Sequence, residues 1–107
     1  MSTKTEEQIL DDDFFKRADE HINIANNHIN NKVEPRFVSG SLMFASARFN
    51  AWISASGFKN GEELKARKKD LLDYFVKQYE SMLDENIDNY ADNYDLYMGI
   101  SKEQAQK

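Results

Sequence analysis

Residues 84–95 read DENIDNYADNYD, with oxygen-bearing side chains at the first, third, fifth, ninth and twelfth places. That is nearly the ligand spacing of an EF-hand calcium loop. Asn89 stands where the loop needs a left-handed turn, and asparagine is the best substitute for glycine there. Asp95 stands where a bidentate glutamate is wanted and is one methylene shorter. The same residues carry a competing pattern. Ile87, Tyr90, Tyr94 and Tyr97 fall at offsets of three, seven and ten, which is one stripe of a helix. A calcium loop must leave the helix, so the two readings exclude each other. No second loop accompanies the first, and the expectation is an amphipathic helix with no bound metal.

Other groups capable of chemistry are sparse. His21 and His28 are seven residues apart on one predicted helix, which separates them by about 10 Å along the axis. One metal ion cannot take both, and neither has an acid three or four residues away. The run Lys65, Arg67, Lys68 and Lys69 could meet phosphate, but Glu62, Glu63, Asp70 and Asp73 flank it and no aromatic is interleaved for base stacking. It reads as a solvated face. Arg48 and Asn50 stand inside ASARFNAW, a stretch that otherwise wants to be buried. A buried guanidinium needs a paired acid, and Asp19, Glu20, Asp73 and Glu80 are the candidates. Three readings of Arg48 remain: an internal ion pair fixing helix register, a side chain turned outward with its stem along the surface, or a polar pocket formed with Asn50 that grips a carboxylate or phosphate. No glycine-rich phosphate loop, HExxH, nucleophile elbow or serine–histidine pairing is present. No enzyme activity and no cofactor are expected.

The 107 residues make room for one core, and the absence of cysteine excludes disulfides, thiolate zinc sites and cysteine nucleophiles. The net charge of −5 is uneven, with acids crowded into residues 1–13 and 78–101 around a mildly basic middle. Such a field repels duplex phosphate, so no nucleic-acid partner is expected. The longest mostly apolar run, Leu42 to Ile53, is shorter than the ~20 residues that span a bilayer. No membrane partner follows, and the expected compartment is cytoplasmic.

Three helices must position these residues. There is one proline, and no stretch alternates with the period of two that a strand requires. The first helix should open at Asp11–Asp13, carry Phe15, Ala18, Ile22, Ala25 and Ile29 on one stripe, and fray near Lys32 because five asparagines crowd residues 23–31. The second should run from Pro35 to just before Gly57. Its stripe of Val38, Leu42, Ala45, Phe49 and Trp52 is widened by Phe37, Phe44, Ala47, Ala51 and Ala55 to most of the circumference. It is therefore expected to be the enclosed, central element, with Gly40, Ser41, Ala45 and Ala51 permitting close approach by its neighbours. The third should open with Asn60 and Glu63 as a capping pair, place Glu63 against Arg67, and present Leu64, Leu71, Leu72, Phe75, Tyr79, Met82 and Leu83 inward, with a break near Asp84–Asn89. The expected fold is all-α: a three-helix bundle with a short fourth C-terminal helix or extension. Residues 11–98 form its single domain, and 1–10 and 99–107 are flexible tails. A tetratricopeptide-like hairpin is the alternative, without the repeat of about 34 residues that would support it.

The segments DDDFFKRADEHINIAN, SLMFASARFNAW and LLDYFVKQYESMLDENIDNY resemble a small proteobacterial domain-of-unknown-function family. The ARFNA core and the following YF-x-x-QY-x-x-M-L pattern are its most specific part, and the likeness covers roughly residues 13–97. The resemblance implies a compact helical domain in a short cytoplasmic bacterial protein and implies no activity. Two functions then remain. The preferred one is a non-enzymatic protein-interaction module with an unknown protein partner or a second copy of itself as a homodimer. It would use the ridge of Ile87, Tyr90, Tyr94 and Tyr97 or the apolar face of the second helix. The other is a small-molecule or anion-binding accessory protein with its pocket at Arg48 and Asn50.

Overall fold

A computed structural model of the chain describes residues 6–99. Among them the fold is all-α: α1 (Glu6–His28), α2 (Pro35–Ser56), α3 (Gly61–Ala66) and α4 (Lys68–Asp92) are followed by a π-helical turn, Asp95–Gly99. The chain divides into two units, residues 1–53 and 54–107. The tails expected at 1–10 and 99–107 fall largely outside the described residues.

In the first unit, α1 begins five residues earlier than the aspartate cluster suggests. At the other end the asparagines act as expected, and sooner. The helix stops at His28, and the Asn30 side chain knits the turn that follows. Its Oδ1 accepts from the N–H groups of Lys32 at 2.8 Å and Val33 at 3.0 Å, and its Nδ2 donates to the His28 carbonyl at 3.4 Å. A short polar side chain that can satisfy backbone groups locally offers the chain an alternative to continuing the helix.

Pro35 is the first residue of α2. The Glu34 carbonyl before it accepts from the N–H groups of Phe37 at 3.0 Å and Val38 at 3.4 Å, starting the ladder from outside the helix. At the far end, Gly57 and Phe58 donate to the carbonyls of Ser54 and Ala55, both at 3.1 Å. The last turn thus tightens to i→i+3 bonds. No described residue has positive φ, so Gly57 ends the helix without the left-handed cap that glycine commonly supplies.

The expectation that α2 is enclosed is overturned. Val38, 4% exposed, is the sole buried residue among those described. Leu42, Phe44, Phe49, Trp52 and Ile53 all face solvent. The pattern of apolar residues states what gains by leaving water; it does not state what will cover it. Gly40 is corrected for the same reason. A Cβ built there meets nothing within 4 Å, so no neighbour approaches that position. Gly40→Ala should therefore stabilise the helix by about 0.5–1 kcal/mol, because it removes glycine's excess unfolded-state entropy at no steric cost. A thermal melt followed by circular dichroism reads this as a raised Tm.

In the second unit, Asn60 caps α3: its Oδ1 accepts from the Glu63 N–H at 3.0 Å. The Glu63 carboxylate reaches back to the N–H of Lys59 at 2.9 Å, one residue before the position a capping box uses. The predicted pairing of Glu63 with Arg67 is displaced. Glu63 is engaged at the cap, and Arg67 sits at a break between α3 and α4 (φ −102°, ψ 9°), where its Nε donates to Asp70 at 3.0 Å. One predicted helix thus becomes two. Asn60→Ala should cost about 1 kcal/mol through the lost cap. In urea this would lower the midpoint and leave the slope unchanged.

The break expected near Asp84–Asn89 does not occur, and α4 runs without interruption to Asp92. Its asparagines bond backward along the helix instead of opening it. Asn86 Nδ2 donates to the Met82 carbonyl at 2.7 Å, and Asn93 Nδ2 donates to the Asn89 carbonyl at 2.9 Å. Of the residues expected inward, Leu64, Leu71 and Phe75 are half-buried, whereas Leu72, Tyr79, Met82 and Leu83 are exposed, because spacing marks the apolar side of a helix and not what covers it.

Candidate functional site

Both α2 and α4 leave many large apolar side chains uncovered, and α2 carries the more exposed aromatic rings, Phe37, Phe44, Phe49 and Trp52. Val38, Leu42, Ala45, Phe49 and Trp52 recur at intervals of three and four and share one side of the helix. Phe49 and Trp52, three apart, bring their rings to 5.8 Å between centroids with a 36° tilt. Both are well exposed, Phe49 at 60% and Trp52 at 66%. Phe37, Met43, Phe44 and Ile53 add exposed surface around them. The Arg36 guanidinium lies 4.6 Å over the Phe37 ring while its Nε donates to Glu34 at 2.9 Å, so the start of the helix is dressed by an ion pair and a cation–π contact. Large aliphatic and aromatic side chains present roughly 200 Å² each, so the exposures along α2 amount to on the order of 800 Å² of apolar side chain.

The tyrosine ridge is assembled in part. Ile87 and Tyr90 lie on α4, and Tyr94 and Tyr97 lie beyond its end. The helix does not continue as offsets of seven and ten assume, because the chain turns at Asn93 and resumes as the π-helical segment. Tyr90 and Tyr97 still meet, with ring centroids 4.7 Å apart and a 33° tilt. Asn89 Nδ2 donates to the Tyr97 hydroxyl at 3.4 Å. All four members of the ridge are exposed. The unbroken helix over 84–92 also sets the fate of the calcium pattern, because helical backbone points its acids outward at successive angles and cannot wrap them round one ion.

Arg48 is exposed and Asn50 half-buried on α2. Two residues apart on a helix, they point to nearly opposite sides, so α2 does not bring them to one spot. With Arg48 in solvent, the need for a buried acid partner falls away. Arg48 instead flanks the aromatic stripe, four residues before Trp52. His21 and His28 are exposed on α1, and Lys65, Arg67, Lys68 and Lys69 are exposed on and between α3 and α4. Sequence periodicity missed Tyr74 and Val76, both exposed on α4 outside its main stripe. An aromatic or aliphatic residue off the stripe adds nothing to the periodic pattern, and Tyr74 is found only by its edge-on contact with Phe75 at 5.0 Å.

These features define a small all-α protein with exposed apolar helical faces. The chain belongs to the family described as "Protein of unknown function (DUF3144)", whose model matches residues 14–91. That span contains all of α2 and α3 and ends one residue short of the end of α4, leaving Tyr94 and Tyr97 outside it. The chain is also similar to a protein solved by NMR, NB7890A from Shewanella sp. The two share 38% identity over 81% of this chain and 92% of the other, with a TM-score of 0.69. Comparison with curated proteins finds no match. Among the described residues, no helix is long and apolar enough to cross a membrane.

Proposed function

We propose that this protein is a non-enzymatic protein-interaction module whose docking surface is the apolar face of α2, centred on Phe49 and Trp52. The observation that carries the reading is the exposure of that face: Leu42, Phe49, Trp52 and Ile53 leave roughly 400 Å² of apolar side chain on one side of the helix, the size of the largest and often functional patch on a monomer, roughly 300–600 Å². Rigid aromatic anchors with an arginine beside them have the composition of interface hot spots. The family match covers this helix entire, whereas it leaves half the tyrosine ridge outside, so α2 takes precedence over the ridge.

A photo-crosslinking residue placed at position 52 tests the reading, with one at the exposed basic position 65 as control. In its native cells the protein should form discrete protein adducts from position 52 and few from position 65. Equal labelling from both positions, or none from 52, would defeat it.

A further inference from the structure

The interaction-module reading leaves the partner unnamed, and the proposal made here rests on that reading. We propose that the partner is a second copy of this chain, joined as a two-fold dimer in which the α2 stripe of each protomer packs against an acidic, apolar helix of the other.

Three observations lead there. The first is area. About 800 Å² per partner is what a standard-size stable interface buries; the Phe49–Trp52 side of α2 supplies roughly half of that, and an exposed apolar stripe of α1 or α4 supplies most of the rest. The second is distribution. Uncovered apolar side chains occur not only on α2 but also on α1, with Phe15 and Ile22, and on α4, with Leu72, Tyr79 and Leu83. A single foreign segment laid on α2 would leave the other two stripes wet. A second copy brings the same three helices and covers them reciprocally, as an isologous interface does. The third is charge. Arg36 and Arg48 are the only charged residues of α2, and it has no acid. By contrast, α1 carries seven acids against Lys16 and Arg17, and α4 carries seven acids against three lysines. Each chain therefore holds both a cationic apolar helix and the acidic apolar helices that complement it. Arg48, beside Trp52, is placed to meet a carboxylate at the rim of such a contact.

Sedimentation velocity on the purified chain, from submicromolar to several hundred micromolar, tests the proposal with the fluorescence of Trp52, the sole tryptophan, as a local reporter. The expected result is a shift to twice the 12.5 kDa chain mass with rising concentration, accompanied by a blue shift of Trp52 emission. Phe49→Asp should raise the dimer dissociation constant by roughly tenfold or more. Arg48→Glu, a change at an exposed position, should raise it several-fold and reduce its dependence on salt. Circular dichroism on both variants distinguishes lost association from lost helix. If Phe49→Asp loses helicity, Arg48→Glu decides alone, and a dissociation constant unchanged by it overturns the proposed contact. A chain that stays monomeric with Trp52 in water, yet crosslinks to a different protein from position 52, overturns the dimer and leaves the interaction module standing. A monomer whose Trp52 emission is already blue-shifted at the lowest concentration overturns both, because the stripe is then covered within one chain.

Discussion

Val38→Asp should lower the stability of the fold by about 3–4 kcal/mol, the cost of placing an ionised or freshly protonated carboxyl where no partner awaits it. For a domain of this size that corresponds to a fall in Tm on the order of 15 °C. The effect is large because Val38 is the sole buried side chain among the described residues. It sits in the first turns of α2, just after the turn that Asn30 organises, where Val33 is also half-buried. Ser39→Asp introduces the same charge one residue on, at an exposed position, and should change stability by no more than about 0.5 kcal/mol. A pair of thermal melts checks the contrast. Similar losses for the two variants would show that the charge itself, and not the burial of Val38, sets the effect.

Glu85→Pro should be comparably damaging, at about 3 kcal/mol or more. Proline removes the N–H that bonds four residues back, and its ring clashes with the preceding turn. This expectation holds only if α4 is unbroken through the acidic stretch. A calcium loop or a kink at Asp84–Asn89 would accept proline at little cost. Urea unfolding of Glu85→Pro, with Lys59→Ala in the loop before α3 as a mild reference, measures the difference. A loss below about 1 kcal/mol would mean that the helix bends where the asparagines cluster, against the backward bonds of Asn86 and Asn93. The same outcome would reopen the calcium reading of residues 84–95.

These two substitutions mark the limits of what could be read from residue types. The helices themselves were legible because their signals are local. Pro35 pre-sets the φ of a first helical residue. Asn60 offers an acceptor three residues before a free N–H. The intervals of three and four along Phe15–Ile29 and Val38–Trp52 describe a helical face whatever lies around it. The end of α1 was legible in kind and misplaced by a few residues, since any of five asparagines could have closed the turn and only the folded backbone selects Asn30. Where two local bonds compete for one group, spacing does not rank them. Glu63 could pair with Arg67 or cap the helix start, and the choice appears only once Arg67 is seen at the α3–α4 break with Asp70 in reach.

The candidate site was legible as composition and not as environment. Phe49, Trp52 and Arg48 stand out in the sequence, but a stripe of large apolar residues looks the same whether a neighbouring helix covers it or water does. Covering depends on contacts between segments far apart in the chain, and no local rule encodes them. By itself, then, the sequence determined that this protein is all-α, where its long helices lie, which faces are apolar and how its charge is spread, because each follows from backbone preferences and side-chain periodicity within a few residues. Only the tertiary structure decided that α2 is uncovered, that Arg48 lies in solvent, that α4 is continuous and that Tyr90 meets Tyr97, because each depends on which surfaces and groups meet in space.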